Sequence, residues 1–326
     1  VFQWGLIGAG DIVRKRVAAA LRDAPGSQLT AVCRARGDLA EAFAATVGAR
    51  RWHGDWQALV QDPGIDGVYV ATPVHLHAEQ TIAAARAGKH VLCEKPMALT
   101  AGECEQMIAA CRDNGVTLGV AYYRRFYPVV VRAKEILASG EIGRPVVAQI
   151  NAFERFNPAR SDPRYWFVRA ADSGGGPMMD FGCHRLELLV NLFGRVERIT
   201  GATASVVFDR EVEDTAAAVL VFERGPCGIV TVTHAAYESQ DTMEVFATDG
   251  SLHVGTLNAG DLRVVTASGE RVESHPPAVN LHAPLVEDFV SAVAGGREPG
   301  VPGTVGLTIA RLEDAIYGRD QVSSGR

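Results

Sequence analysis

Several things are missing from this sequence, and each absence narrows what the chain does. No two of its six cysteines (Cys33, Cys93, Cys104, Cys111, Cys183 and Cys227) stand in Cys-x-x-Cys spacing. Those inside apolar strand and helix patterns read as reduced core thiols, which predicts a cytoplasmic protein. There is no block of single-sign charge, and a formal net charge of −6 excludes a nucleic-acid partner, because phosphate binding draws on clustered Lys and Arg. No apolar run approaches the ~20 residues of a membrane span. No basic, apolar leader precedes the first strand, so neither membrane association nor secretion is expected. Internal repeats and low-complexity tracts are absent too. His75 and His77 have no Cys, Asp or Glu at ligand spacing nearby, so no metal site is expected.

What remains is a soluble globular composition, 47% hydrophobic and 21% charged, over 326 residues. That length exceeds one ordinary core and predicts two domains. Strands and helices alternate through about residue 121, so the fold class is α/β, with a doubly wound parallel sheet of Rossmann type over 1–121. Over 122–326 the chain reads as an α+β domain. A helix runs to Gly140, and strands at 146–156, 201–208, 215–223, 227–234, 242–249 and 261–267 predict a large, mainly antiparallel open sheet. Helices at 283–294 and 304–317 close the fold, and the Ser323–Arg326 tail reads as frayed.

Phe2–Ile7 is a buried strand followed at once by Gly8-Ala9-Gly10-Asp11-Ile12 and a helix. Strand, glycine turn and helix form the context of a dinucleotide fingerprint. Gly8 permits the tight turn, Gly10 lets a pyrophosphate approach, and the helix start at Asp11 and Ile12 offers free N–H groups. The third fingerprint position is Val13, so a branched side chain must pack where helix and strand come closest. After the second strand, Cys33-Arg34-Ala35-Arg36 stands where an acidic residue would clasp the ribose of NAD. Arginine there accepts a 2′-phosphate, so Arg34 favours NADP over NAD. Thr72 and Pro73, with His77 beyond them, read as a polar loop facing the cofactor.

The stretch Ala87–Thr100 places Glu94, Lys95 and Pro96 just past the strand His90–Cys93, where ligands collect in a parallel sheet. Pro96 pushes Lys95 out of the helical region and holds its ammonium on a stiff elbow. Farther on, Asp180 and His184 are four apart in a predicted helix running to Phe193, so both emerge on one face. A carboxylate beside an imidazole suits a general base working near neutral pH.

The Gly8-Ala9-Gly10 turn, the Ala-Thr-Pro ending at Pro73 with His77 after it, and the run Ala-Gly-Lys-His-Val-Leu-Cys-Glu-Lys-Pro together resemble the glucose-fructose oxidoreductase/inositol dehydrogenase (Gfo/Idh/MocA) family of NAD(P)-dependent enzymes. The family usually has Asn after Thr-Pro; here it is Val74. The resemblance implies that Lys95, with Glu94 beside it, lies at the nicotinamide and the substrate hydroxyl. It also implies that Asp180 and His184 complete the catalytic set. The substrate would be a sugar, cyclitol or related polyol, and a homodimer or homotetramer would form through the open sheet face. On this reading His184 takes the hydroxyl proton, Lys95 stabilises charge on the oxygen, and Asp180 orients substrate and imidazole. Tyr123, Arg125 and Trp166 are substrate-pocket candidates. Two rival functions fit the same motifs, an NAD-assisted glycoside hydrolase and a non-catalytic dinucleotide-binding sensor.

Overall fold

The computed structural model describes residues 1–34 and 37–319. Ala35 and Arg36 of the expected phosphate loop, and the Ser323–Arg326 tail, lie outside the described residues. The described residues pack as two compact units, Val1–Tyr123 with Ala278–Ala310, and Arg124–Pro277 with 311–319.

In the first unit β1 (Phe2–Ile7), β2 (Ser27–Cys33), β3 (Arg51–His53), β4 (Gly67–Val70), β5 (His90–Cys93) and β6 (Leu118–Val120) form one sheet in the order β3-β2-β1-β4-β5-β6. All pairs are parallel. This is the doubly wound order expected from the sequence. Trp4, Leu6, Leu29, Val32, Val68, Val70, Val91 and Leu92 are buried, because helices cover both faces and leave no solvated side for alternation to mark. Local signals set the helix ends. Asp55 accepts from the Ala58 N–H (2.6 Å), Thr100 accepts from the Glu103 N–H (3.2 Å), and Gly88 closes helix His77–Arg86 at φ +73°. The edge strand β3 was not expected, since Arg-Trp-His over three residues carries no pattern.

Residues 278–310, expected in the second domain, pack into this first unit instead. Phe289 of helix Ala283–Gly295 lies 6.3 Å from Phe2 and 5.4 Å from Trp4 between ring centroids, and Pro302 bridges to Gly119 of β6. The apolar stripe read from the sequence is real, but what it covers is the first sheet.

In the second unit eight strands, β7 (Pro145–Arg155), β8 (Val196–Ala204), β9 (Thr215–Phe222), β10 (Cys227–Thr233), β11 (Ala235–Ala247), β12 (Gly250–Val254), β13 (Asp261–Thr266) and β14 (Gly269–Ser274), make one sheet. Its order is β14-β13-β12-β11-β7-β10-β9-β8. Only β7 and β10 run parallel. Ala148, Ile150, Val230, Val232, Met243 and Val245 are buried on one face. On the other, Val219, Ile229, Gln149 and Glu244 fall in register and stay half-buried or exposed, as a one-sided antiparallel sheet requires. β12 and β14 were missed because short turns join them to the strands before them. Among the described residues no helix is long and apolar enough to cross a membrane.

Candidate active-site residues in the two units

The first unit gathers the expected cofactor residues at the carboxyl ends of β1, β4 and β5, where a sheet of this order receives its ligand. Gly8 has φ +107°, and a Cβ there would stand 2.4 Å from the Ala71 carbonyl oxygen. The two strand ends approach this closely only because the residue has no side chain. A Cβ at Gly10 would meet nothing within 4 Å, so the turn presents bare backbone to open space, a cradle that fits a pyrophosphate. Asp11 and Ile12 follow, Asp11 in an exposed pair with Lys15 (2.6 Å). Val13 is fully buried, and the helix there widens into a π turn, Val13–Val17. Arg34, its N–H on the His53 carbonyl (3.3 Å), lines a cavity of about 300 Å³ together with Arg14 and Arg22.

Thr72 donates to Gln80 (2.7 Å), and Pro73 leads into a short 3₁₀ turn whose Val74 is buried. His77, expected to face the cofactor, is buried and clamps two main-chain segments together. Its Nδ1 lies 2.9 Å from the Pro96 carbonyl and its Nε2 2.9 Å from that of Thr72, and burial pushes its pKa down. Glu94 is likewise turned inward. Tyr69 donates to its Oε1 (2.7 Å), the Lys95 N–H to its Oε2 (3.2 Å), and His282 Nε2 faces Oε1 at 3.5 Å. Burial alone would raise this carboxyl, but His282, Lys95 and Tyr69 outweigh it and hold the pKa at about 2. Tyr123, expected in a substrate pocket, is buried and stacks on His282 at 4.4 Å. Lys95 is half-buried at the end of β5, its peptide to Pro96 cis.

In the second unit the Ser173–Pro177 loop is glycine-rich because it runs against other groups. A Cβ on Gly176 would lie 2.0 Å from the Glu213 carbonyl, and one on Gly175 2.3 Å from the Tyr317 hydroxyl oxygen. Glu213 accepts from the Gly176 N–H (2.8 Å) and the Tyr317 hydroxyl (2.6 Å). The expected helix follows, but its first turn is a π turn, Met178–Gly182, with the Cys183 N–H on the Met178 carbonyl. An i, i+4 pair does not stack in such a turn as it does in an α-helix. Asp180 points its Oδ2 at Nε2 of His234, 3.4 Å away, with Glu154 Oε1 at 3.6 Å from the same nitrogen. His184 is buried at the start of helix Cys183–Phe193.

That helix is tied down by ion pairs. Arg185 and Arg124 both reach Asp241, and Arg125 grips the fully enclosed Glu187 at 2.6 Å. Burial raises the Glu187 pKa, with Arg125 opposing it. Arg125, a substrate-pocket candidate, is paired with Glu187 on the helix that carries His184. Trp166 stacks on Phe167 (3.9 Å) and keeps part of its surface exposed.

Glu154, Asp180 and His234 offer ligand-type atoms within 4.8 Å of one another, a spacing that would suit a cation. The proton on His234 opposes that use. Arg210 lies 3.0 Å from Nδ1, and since a guanidinium only donates, Nδ1 accepts and Nε2 carries the hydrogen. A metal needs a lone pair there. Sequence reading missed His234, Arg210, Glu154 and His282. His234 did leave a trace, following Val230 and Val232 in the two-residue period of the buried strand face, where an imidazole is out of place. His282 left none.

A family model described as an oxidoreductase family with an NAD-binding Rossmann fold matches residues 2–122, and one described as the GFO/IDH/MocA C-terminal domain matches 130–253. The 1,5-anhydro-D-fructose reductase of Ensifer adhaerens is 32% identical over 316 residues, 94% of this chain and 92% of that one. D-xylose 1-dehydrogenase (NADP(+)) 2 of Haloferax volcanii is 32% identical over 320 residues, 96% of each. Among solved structures, levoglucosan dehydrogenase in complex with NADH and levoglucosan matches with a TM-score of 0.89 at 27% identity, over 97% of this chain and 96% of that one.

Proposed function

Since the chain belongs to the GFO/IDH/MocA family of oxidoreductases, we infer that it moves a hydride between C4 of a nicotinamide dinucleotide and a secondary alcohol, or its ketone, on a sugar, cyclitol or related polyol. The observation that carries this reading is the position of Lys95, a half-buried ammonium at the carboxyl end of β5 in the same sheet as the Gly8–Gly10 cradle.

Gly8, Gly10 and the N–H groups at Asp11 and Ile12 would hold the pyrophosphate, with Thr72 and Pro73 at the adjacent strand end. Arg34, backed by Arg14 and Arg22 around one cavity, supports NADP over NAD. His184 accepts the proton of the reacting hydroxyl, Lys95 donates to the same oxygen and stabilises its developing charge, and Asp180 orients the substrate. Trp166 offers a flat apolar surface to the face of a sugar ring. Val219 and Phe246, exposed on the second unit's open sheet face, support pairing of two copies through that face. Five buried free thiols support a reducing, cytoplasmic setting.

Following nicotinamide absorbance with a panel of sugars and polyols tests the activity. Net conversion of cofactor is the expected result; glycan cleavage without it would indicate a hydrolase, and neither would indicate a sensor. Lys95→Ala should lower turnover by roughly 10²-fold or more with dinucleotide affinity little changed. Undiminished turnover removes Lys95 from the chemistry.

A further inference from the structure

We propose that His234 is a positioning residue for Asp180, its imidazole held by Arg210 with Nδ1 as acceptor and the hydrogen on Nε2, a buried N–H that faces the carboxylate at 3.4 Å without an aligned bond and becomes its donor when the two close up. The proposal rests on the reading that Asp180 serves the substrate. Its own support is local. Arg210 donates to the main-chain carbonyls of Phe156 (3.0 Å), Val212 (3.3 Å) and Glu213 (2.7 Å), so its contact with His234 Nδ1 (3.0 Å) is set by three separate anchors. Because arginine has no acceptor and does not release its proton, Nδ1 is kept as a lone pair. The ring cannot turn to escape this. Phe156 and Phe181 stand edge-on to it at 5.1 Å each, and the side chain is 0% exposed.

The charged groups facing the ring are Arg210 on one nitrogen and Glu154 and Asp180 on the other. Asp214, nearby, is turned to the N–H groups of Val206, Val207 and Phe208, and Glu213 to Gly176 and Tyr317. One N–H serves one carboxylate at a time. Asp180, 18% exposed and 3.4 Å away, is the better placed; Glu154, 46% exposed and 3.6 Å away, has water to draw on. Protonating Nδ1 would set an N–H against a guanidinium, so this imidazole cannot act as the proton acceptor, and that role stays with His184.

Ring-nitrogen NMR of the whole protein, labelled with ¹⁵N-histidine, tests the lock without any assay of turnover. The His234 signals are assigned by their loss in His234→Phe, or in His234→Gln should the former fail to fold. Expected is hydrogen on Nε2 and a bare Nδ1; hydrogen on Nδ1 overturns the proposal. In turnover, His234→Phe should cost about 10- to 100-fold, the loss of a hydrogen bond to a charged group. It should cost nothing further in an Asp180→Asn background, and His234→Gln, which keeps an N–H at similar reach, should recover part of the loss. An equal loss in both backgrounds means that His234 acts independently of Asp180, and the proposal falls. Full turnover by Asp180→Asn would sink the catalytic reading instead, and the spectrum then decides the lock on its own.

Discussion

The two units place their enclosed acidic residues differently with respect to the charged group beside them. In the first, Glu94 stands directly beside Lys95 and is sealed in, both oxygens engaged by Tyr69, His282 and the Lys95 main chain. In the second, Asp180 and Glu154 keep part of their surface exposed and face one imidazole, while Glu187, a helix turn past His184, is sealed in. Each unit therefore has an enclosed carboxylate that holds a backbone element in place, and a more open charged group that the element carries. Proximity in sequence to a reactive residue marks the first kind as readily as the second. The difference is one of desolvation. Glu94, with both oxygens matched by donors inside the protein, has little left for a ligand, and Glu187 is shut away from one by burial against Arg125.

The sharpest way to break this comparison is Arg125→Ala. If Arg125 is an anchor, its loss leaves Glu187 buried without its guanidinium, which should destabilise the protein by about 3–5 kcal/mol. Thermal or urea unfolding measures it. A variant with normal stability and a raised KM would return Arg125 to the substrate pocket and undo the assignment of Glu187 to the frame.

Glu94→Gln probes the same distinction in the first unit through pH. The folded pKa of Glu94 is held at about 2, below its ordinary value of 4.5, so its ionised form stabilises the fold above about pH 4.5. That contribution disappears as pH falls toward 2, and the shift corresponds to about 3 kcal/mol. Glutamine has no such proton to take up. The wild type should be the more stable near neutrality, and its advantage should shrink between pH 4.5 and 2; Asp214, held low by main-chain N–H groups, and Glu273, held low by Arg132, cancel because both proteins carry them. A gap that stays constant with pH would mean that Glu94 stabilises by shape and not by charge.

Much of the fold was legible because it follows from local periodicity and punctuation. Phe2–Ile7 and His90–Cys93 were found to the residue, and Asp55, Thr100, Gly88 and Gly140 mark helix ends as their chemistry predicts. The misses share a cause. Where helix Ala283–Gly295 docks is settled by Phe289 meeting Phe2 and Trp4, a contact across almost the whole chain that no window of sequence contains. Motifs pointed to Gly8, Lys95, Asp180 and His184 as site residues, but not to the groups packed around them. His77, Glu94, Tyr123 and Arg125 looked reactive by type and position, and whether such a group faces a ligand or the interior depends on partners such as His282 and Glu187 that stand far along the chain.

Arg34 gives the smallest effect and the finest test, because it asks whether the first unit, so closed around Glu94, keeps a charged group for a ligand at its other strand end. Arg34 is half-buried on a cavity that it shares with Arg14 and Arg22. A phosphate on the adenine ribose would draw a charge-assisted hydrogen bond from it, whereas the bare hydroxyl of NAD would gain much less. Arg34→Ala should therefore weaken NADP by about tenfold and NAD by less than about twofold, measured by calorimetric titration of each dinucleotide. Equal weakening of both would make Arg34 part of the frame, like Glu94, with no role in telling one cofactor from the other. The first unit would then leave Lys95 as the charged side chain it offers to a bound ligand, and the choice of cofactor would fall to residues beyond the arginine cavity.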